Sequence, residues 1–302
     1  MKLALLTAAA LLLLVCVSGD LATAAPPGGV IQGTVRNGTT SAAVPNASIE
    51  LLLISTQGPS GIGQTRSDGQ GRFAFHGVSD GRYLLQVKHQ GVSYATHAVV
   101  TGGAPVQVVL QIFDVSAQVP LRVTLLGLAI DVQAGYVRVS EVVHLRNATS
   151  RTLLGDVSFP LPRGARYVTF MDGLHQPRVE GARIVDRLVV RPGEHQLGYA
   201  YSVAGGGEIA LDRRLVFALE RLEVFVSAPA EARAAPLRPL PTVTTDEGQT
   251  YTRASGRNVP AGDFAIAVIG VPSPRLWLAP AAAGALAALL IAGLAWAVIR
   301  GF

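Results

Sequence analysis

The sequence predicts an all-β protein: two tandem antiparallel β-sandwich domains followed by one C-terminal transmembrane helix. Three observations carry that expectation. Short apolar runs alternate with turn-forming stretches along most of the 302 residues, which include 33 Gly and 18 Pro. Such texture belongs to all-β domains with many tight turns. The apolar fraction is 49%, ample for packed cores, while the charged fraction is only 15%. Finally, two long uncharged runs occupy the two ends of the chain.

At the N-terminus, Lys2 precedes an apolar run from Leu3 to Val17 and then Ala22-Thr23-Ala24. This is the charged, apolar and small-residue order of a secretory signal, with Ala22 and Ala24 at the cleavage site, so residues 1–24 are read as a signal peptide. Cys16, the only cysteine, lies inside it. The mature chain is then expected to lack disulfides and thiol ligands. At the other end, Trp277 to Ile299 is uncharged over 23 residues. As a helix it would span roughly 35 Å, enough for the hydrocarbon layer. Trp277 and Trp296 near its ends, with Arg275 and Arg300 flanking it, suit the membrane interfaces. Residues 277–299 are therefore read as a membrane helix and 300–302 as a cytoplasmic tail. Membrane lipid is the first expected partner, and residues 28–272 are placed outside the cytoplasm.

The first domain is expected at residues 28–113. Strand chemistry marks Val30–Arg36 and Ala47–Ser55; Gly58-Pro59-Ser60-Gly61 reads as a break. Gln64–Ser67 and Arg72–Phe75 flank Asp68-Gly69-Gln70-Gly71, a tight turn. Gly77–Gly81 makes a corner, and Arg82–His89, Val92–Val100 and Pro105–Phe113 complete about seven strands, the number of a sandwich. Gly77-x-Ser79-x-Gly81 fits the nucleophile-elbow spacing, but that elbow needs a strand-to-helix turn in a parallel sheet, so Ser79 is read as a turn residue.

Gly33-x-Val35, Pro45-x-Ala47-x-Ile49, Asp68-x-x-Gly71-x-Phe73-x-Phe75 and Gly81-x-Tyr83-x-Leu85 together resemble the carboxypeptidase regulatory-like domain, a transthyretin-like sandwich. The resemblance implies structural roles: Gly71 and Gly81 at turns, and Phe73, Phe75 and Tyr83 in the core. It concerns an accessory domain and implies no peptidase activity.

The second domain is expected at residues 119–272. Leu121–Val132 and Tyr136–Leu145 read as long strands, the second with Glu141 on its mainly apolar side. Asn147–Ser150 reads as a turn. Phe159-Pro160-Leu161-Pro162-Arg163-Gly164-Ala165 resembles a stretch of vault and inter-alpha-trypsin-inhibitor N-terminal β-domains, over residues 147–171. Further strands are expected at Tyr167–Met171, Ala182–Val190, Gln196–Val203, Leu215–Phe217, Leu222–Ser227 and Phe264–Ile269. Pro236, Pro239 and Pro241 imply an extended loop or an edge crossing. Val115–Pro120 is too short and apolar for a free linker, so the domains are expected to abut.

The charge is +5. Residues 25–118 carry five Lys/Arg against four Asp/Glu, and residues 119–272 carry seventeen against fifteen, a spread too thin for nucleic acid. The six histidines form no metal-ligand spacing, although His89 and His97 fall on neighbouring strands. No catalytic, cofactor-binding or metal-binding residue is therefore assigned, no cofactor is expected, and the chain is read as a non-enzyme. The expected function is binding or assembly in the bacterial envelope through contact with another protein, at Gln57–Gly63, His89–Val92 and Ala228–Pro241. The alternative is carbohydrate binding through Tyr94, Tyr136 and Tyr251, and a third reading is an enzyme with an unfamiliar site.

Overall fold

The structure, a computed structural model, describes residues 28–273. The signal segment with Ala22 and Ala24, and the membrane segment with Arg275, Trp277, Trp296 and Arg300, lie outside the described residues. Within them the fold is all-β, with twenty-one strands in five sheets and no helix.

The first region holds β1 (Gly29–Asn37), β2 (Ser48–Ser55), β3 (Gly58–Arg66), β4 (Arg72–Val78), β5 (Gly81–His89), β6 (Val92–Val100) and β7 (Val106–Ile112). They form two sheets, ordered β4-β1-β7 and β3-β2-β5-β6. Alternation decides which side chains meet between them. Ile31 and Val35 of β1 point inward with Phe73, Phe75, Leu110 and Ile112, against Ile49, Leu51, Tyr83, Leu85 and Val87 of the other sheet. Gly33 keeps this alternation without a side chain because a Cβ there would lie 2.3 Å from the Val108 carbonyl oxygen. The expected antiparallel order holds for most pairs, but β1 and β7 run parallel. A crossover between the two sheets joins them, which a hairpin cannot do.

The expected break at Gly58–Gly61 is displaced. The turn is Thr56–Gln57, and Gly58, at φ +99°, already begins β3. Pro59 is tolerated there because β3 is an edge strand.

β8 (Val115–Ser116) leads into the second region: β9 (Leu121–Gln133), β10 (Tyr136–Asn147), β11 (Thr152–Pro160), β12 (Ala165–Phe170), β13 (Arg178–Val179), β14 (Arg183–Val190), β15 (Gly193–Ala204), β16 (Gly207–Leu215), β17 (Leu219–Ser227), β18 (Glu231–Arg233), β19 (Arg238–Thr244), β20 (Thr250–Val259) and β21 (Gly262–Val271). A seven-stranded sheet, β12-β15-β10-β9-β17-β20-β19, forms one layer. Two shorter sheets, β13-β14-β11-β8 and β16-β21-β18, contribute to the same core. Two further parallel pairs, β9 with β17 and β8 with β11, again arise from crossovers.

Sequence reading missed β11, β16 and β20 and the short β8, β13 and β18, and placed a strand at Leu215–Phe217, where β16 ends at Leu215 and a bend follows. β16 and β20 are rich in polar and small residues, so no apolar run announces them. The proline run resolves as β19, an edge strand, where Pro239 and Pro241 cost no central ladder bonds.

The two regions abut, as the short connection implied. β8 adds to β11, and the Thr152 amide donates to the Asp114 carbonyl at 2.9 Å. Leu154 and Val189 of the second region pack on the core of the first.

Candidate functional site

The residues that carry the family resemblance are structural. Asp68 closes the β3–β4 turn: its Oδ1 accepts the Gln70 amide at 2.9 Å and the Arg72 amide at 2.7 Å. Gly71 has φ +75°, and a Cβ there would meet the Val35 carbonyl oxygen at 2.7 Å. Pro45 fixes the approach to a turn completed by Asn46 at φ +58°. Phe73 and Phe75 meet edge-on with ring centroids 6.2 Å apart. The buried Tyr83 hydroxyl donates to the Ser79 carbonyl at 2.7 Å, which places Ser79 in the tight β4–β5 turn. Gly81 opens β5 beside that turn, with Leu53 and the Tyr83 ring within van der Waals reach of a Cβ. Burial and the nearby Asp80 both raise the Tyr83 pKa above its ordinary value.

The His89–Val92 segment is an exposed turn that also reaches the connection between the two regions. Gln90 and Gly91 form the hairpin turn at positive φ. The Gln90 side chain accepts the Val115 amide at 2.7 Å, and His89 Nε2 lies 3.4 Å from Asp114 Oδ1. His97 pairs with Leu84 at the other part of β6, away from His89. Of the three tyrosines considered for sugar stacking, Tyr94 is 2% exposed; its hydroxyl lies 2.8 Å from both the Phe113 carbonyl and Thr152 Oγ1. Tyr251 is also buried, with its hydroxyl donating to Asp131 Oδ1 at 3.3 Å. Burial, with help from Asp131, pushes its pKa up to about 12. Tyr136 alone of the three is exposed.

The apolar-face position of Glu141 has a specific cause. Its side chain is fully buried (0% exposed) between β15 and β16. Tyr199 donates to Oε2 at 2.9 Å; Tyr201 and the Arg213 guanidinium both donate to Oε1. Burial alone would lower the Arg213 pKa, but the Glu141 carboxylate and both hydroxyls outweigh it and hold the guanidinium charged. Burial, then Glu141, raises both tyrosine pKa values well above the ordinary range. A cavity of about 40 Å³ adjoins the group, lined by Phe159 and Phe217. Every Glu141 oxygen is occupied and both phenols stay protonated, so the arrangement is a buried ion pair with its hydrogen bonds complete rather than a proton-transfer site. Among the described residues, no three His, Cys, Asp or Glu side chains are grouped to hold a metal ion.

Two surface features were not legible in the sequence. Edge strand β3 carries a bulge: Leu51 pairs with Gly63 and Leu52 with Gly61, leaving Ile62 unpaired and 51% exposed. Edge strand β12 carries another, between Arg166 and Thr169, where Tyr167 takes φ +55° and is 82% exposed. Phe170 follows it, also exposed. Bulges blunt an edge against strand addition and re-aim side chains.

Comparison with known proteins bears on the first region. Residues 30–112 match the carboxypeptidase regulatory-like domain. That domain supplies β1 to β7, and the residues quoted above occupy its turns and core. No curated protein matches the chain. Among solved structures, an M1 zinc metallopeptidase from Deinococcus radiodurans is 14% identical, with 50% of this chain and 42% of that one covered, at a TM-score of 0.34. An (S)-allantoin synthase is 12% identical over 29% of this chain and 41% of that one, at 0.25. A candidate carbohydrate-binding protein from Pseudomonas aeruginosa is 16% identical over 28% and 89%, at 0.22. The chain thus spans well under half the length of the synthase and of the peptidase.

Proposed function

We propose that this protein is a non-catalytic, membrane-anchored binding protein of the cell envelope, held by residues 277–299 with residues 28–273 outside the cytoplasm. Its regulatory-like domain and second β-region meet a protein partner through side chains on bulged edge strands. The observation that carries the reading is the pair of bulges, one in each region, that turn Ile62 and Tyr167 into solvent. Large apolar and tyrosyl side chains of this kind anchor protein interfaces. Bulges on β3 and β12, and prolines on β19, blunt those edges against strand addition and favour recognition by side chains. The export and anchor assignments rest on the two apolar runs of the sequence.

Protease added to intact spheroplasts is expected to digest residues 28–273 and to spare them only if the topology is reversed. Tyr167→Asp, which touches no core, is expected to abolish co-purification of the partner from solubilised membranes while the protein stays folded. Unchanged recovery of the same partner would remove β12 from the interface.

A further inference from the structure

The thin spread of basic residues along the sequence hides a local concentration on one face of the seven-stranded sheet. Residues directly opposite one another on paired strands share a face. Arg221 of β17 stands opposite Arg257 of β20, Phe225 opposite Arg253, and Ser255 lies between Glu223 on one side and Arg238 on the other. Four arginines thus share this face with the buried Glu223 carboxylate. Glu223 serves Arg253 at 3.3 Å and Ser255 at 3.0 Å, and is 4.0 Å from Arg221. That single charge cannot neutralise the group. Like charges facing each other across paired strands are destabilising, and Arg221 with Arg257 is such a pair.

Three further observations mark the place. A cavity of about 650 Å³ lies alongside, with Thr124, Leu125 and His144 on its floor side and Arg221, Arg257 and Asn258 on the other. The buried Arg221 Nε and His144 Nε2 find no protein partner among the described residues. On the far rim Arg146 is already paired with Glu194, leaving Glu220 as the second acid of the cavity.

We infer that this cavity binds a ligand through a carboxylate group, held by Arg221 and Arg257. A planar carboxylate matches the planar guanidinium fork and relieves the cross-strand repulsion. Glu194 and Glu220, which also line the cavity, select against a second negative charge, so a monoanionic carboxylate is favoured over a phosphate dianion. The inference is independent of the edge-strand reading, because neither Ile62 nor Tyr167 lines the cavity.

The test uses the full chain in detergent micelles, labelled with nitrogen-15 in arginine. The Nε–Hε resonances are followed while sodium acetate replaces sodium chloride at constant ionic strength. The Arg221 signal should shift saturably with acetate. R257Q, a change at an exposed position, should weaken the acetate response about tenfold, the scale of one charged hydrogen bond. R72Q, at the start of β4 in the first region, should leave it unchanged. Sodium phosphate at pH 7.5 should act more weakly than acetate. No saturable shift, an equal response in R257Q, or a tighter response to phosphate would each overturn the assignment.

Discussion

The two regions solve the same packing problem with different chemistry. In the first, the side chains between the sheets are apolar, and the one buried polar side chain, Ser67, is spent on the turn beside Val44 and Ala47. In the second, Glu141, Asp186, Asn147, Thr152 and Glu223 are all buried. Each has found partners: Asp186 accepts the His175 and Gln176 amides at 2.9 and 2.7 Å, and Asn147 donates to the Arg151 and Val190 carbonyls at 2.7 and 2.9 Å. A core of the first kind tolerates apolar exchange at similar volume. A core of the second kind fixes which strands must meet, since an unpaired buried charge is costly.

The largest effect expected from breaking this contrast is at Glu141. E141A leaves the Arg213 guanidinium buried without its carboxylate and should cost about 3–5 kcal/mol in denaturant unfolding. Replacing the whole group with E141L, R213M, Y199F and Y201F together should recover most of that loss. If the fourfold variant is no more stable than E141A, the ion pair is not what the single change disrupts. Among the described residues, the first region has no buried ion pair to break, and the contrast with it is drawn at a backbone position. G71A should cost roughly 2 kcal/mol, because it adds strain at positive φ and a contact with the Val35 carbonyl. G77A has φ +69° but open space around it, and should cost about half as much. Thermal melts of the two variants side by side separate crowding from strain.

How much of this was legible follows from the same contrast. The first region could be read strand by strand because alternation there maps directly onto burial, and Asp68, Gly71 and Gly81 punctuate it. In the second region Glu141 stood out as an acid on an apolar face, but its partners lie on β15 and β16, some 58 to 72 residues away. No local pattern links them. β20 reads Thr-Tyr-Thr-Arg-Ala-Ser-Gly-Arg-Asn-Val, a polar string that becomes a strand only because β17 and β19 pair with it on both sides. Bulges at Ile62 and Tyr167 depend on register against a partner strand, which one strand alone does not specify. The arginine group on the outer face is likewise a property of pairing, since residues 221, 238, 253 and 257 are scattered in sequence.

Smaller effects belong to the joint between the regions. Y94F removes the hydroxyl shared between Phe113 and Thr152 and should cost about 1 kcal/mol. T152V should cost a similar amount, and the double variant should cost less than the sum of the two. Exact additivity would mean that the hydroxyls do not work as one contact.

The smallest effect is a dependence on acid. The hydrogen bond from Asn37 lowers the Asp114 pKa, burial opposes it, and His89 and Arg151 assist it. A carboxylate depressed in the folded state contributes stability above its unfolded value of about 3.9 and loses it as the pH falls through the folded value. Stability should therefore decline below about pH 4 more steeply in the wild type than in N37A, in unfolding curves collected across that range. Parallel curves would show that Asn37 does not govern Asp114.

In the proposed function the bulged edges, rather than the flat faces, meet the partner. A photo-cross-linking amino acid placed in living cells at Ile62, at Tyr167 and at the exposed face residue Val109 tests it directly. Adducts to a discrete protein are expected from positions 62 and 167 and not from 109. Adducts from 109 alone, or from none of the three, would contradict it.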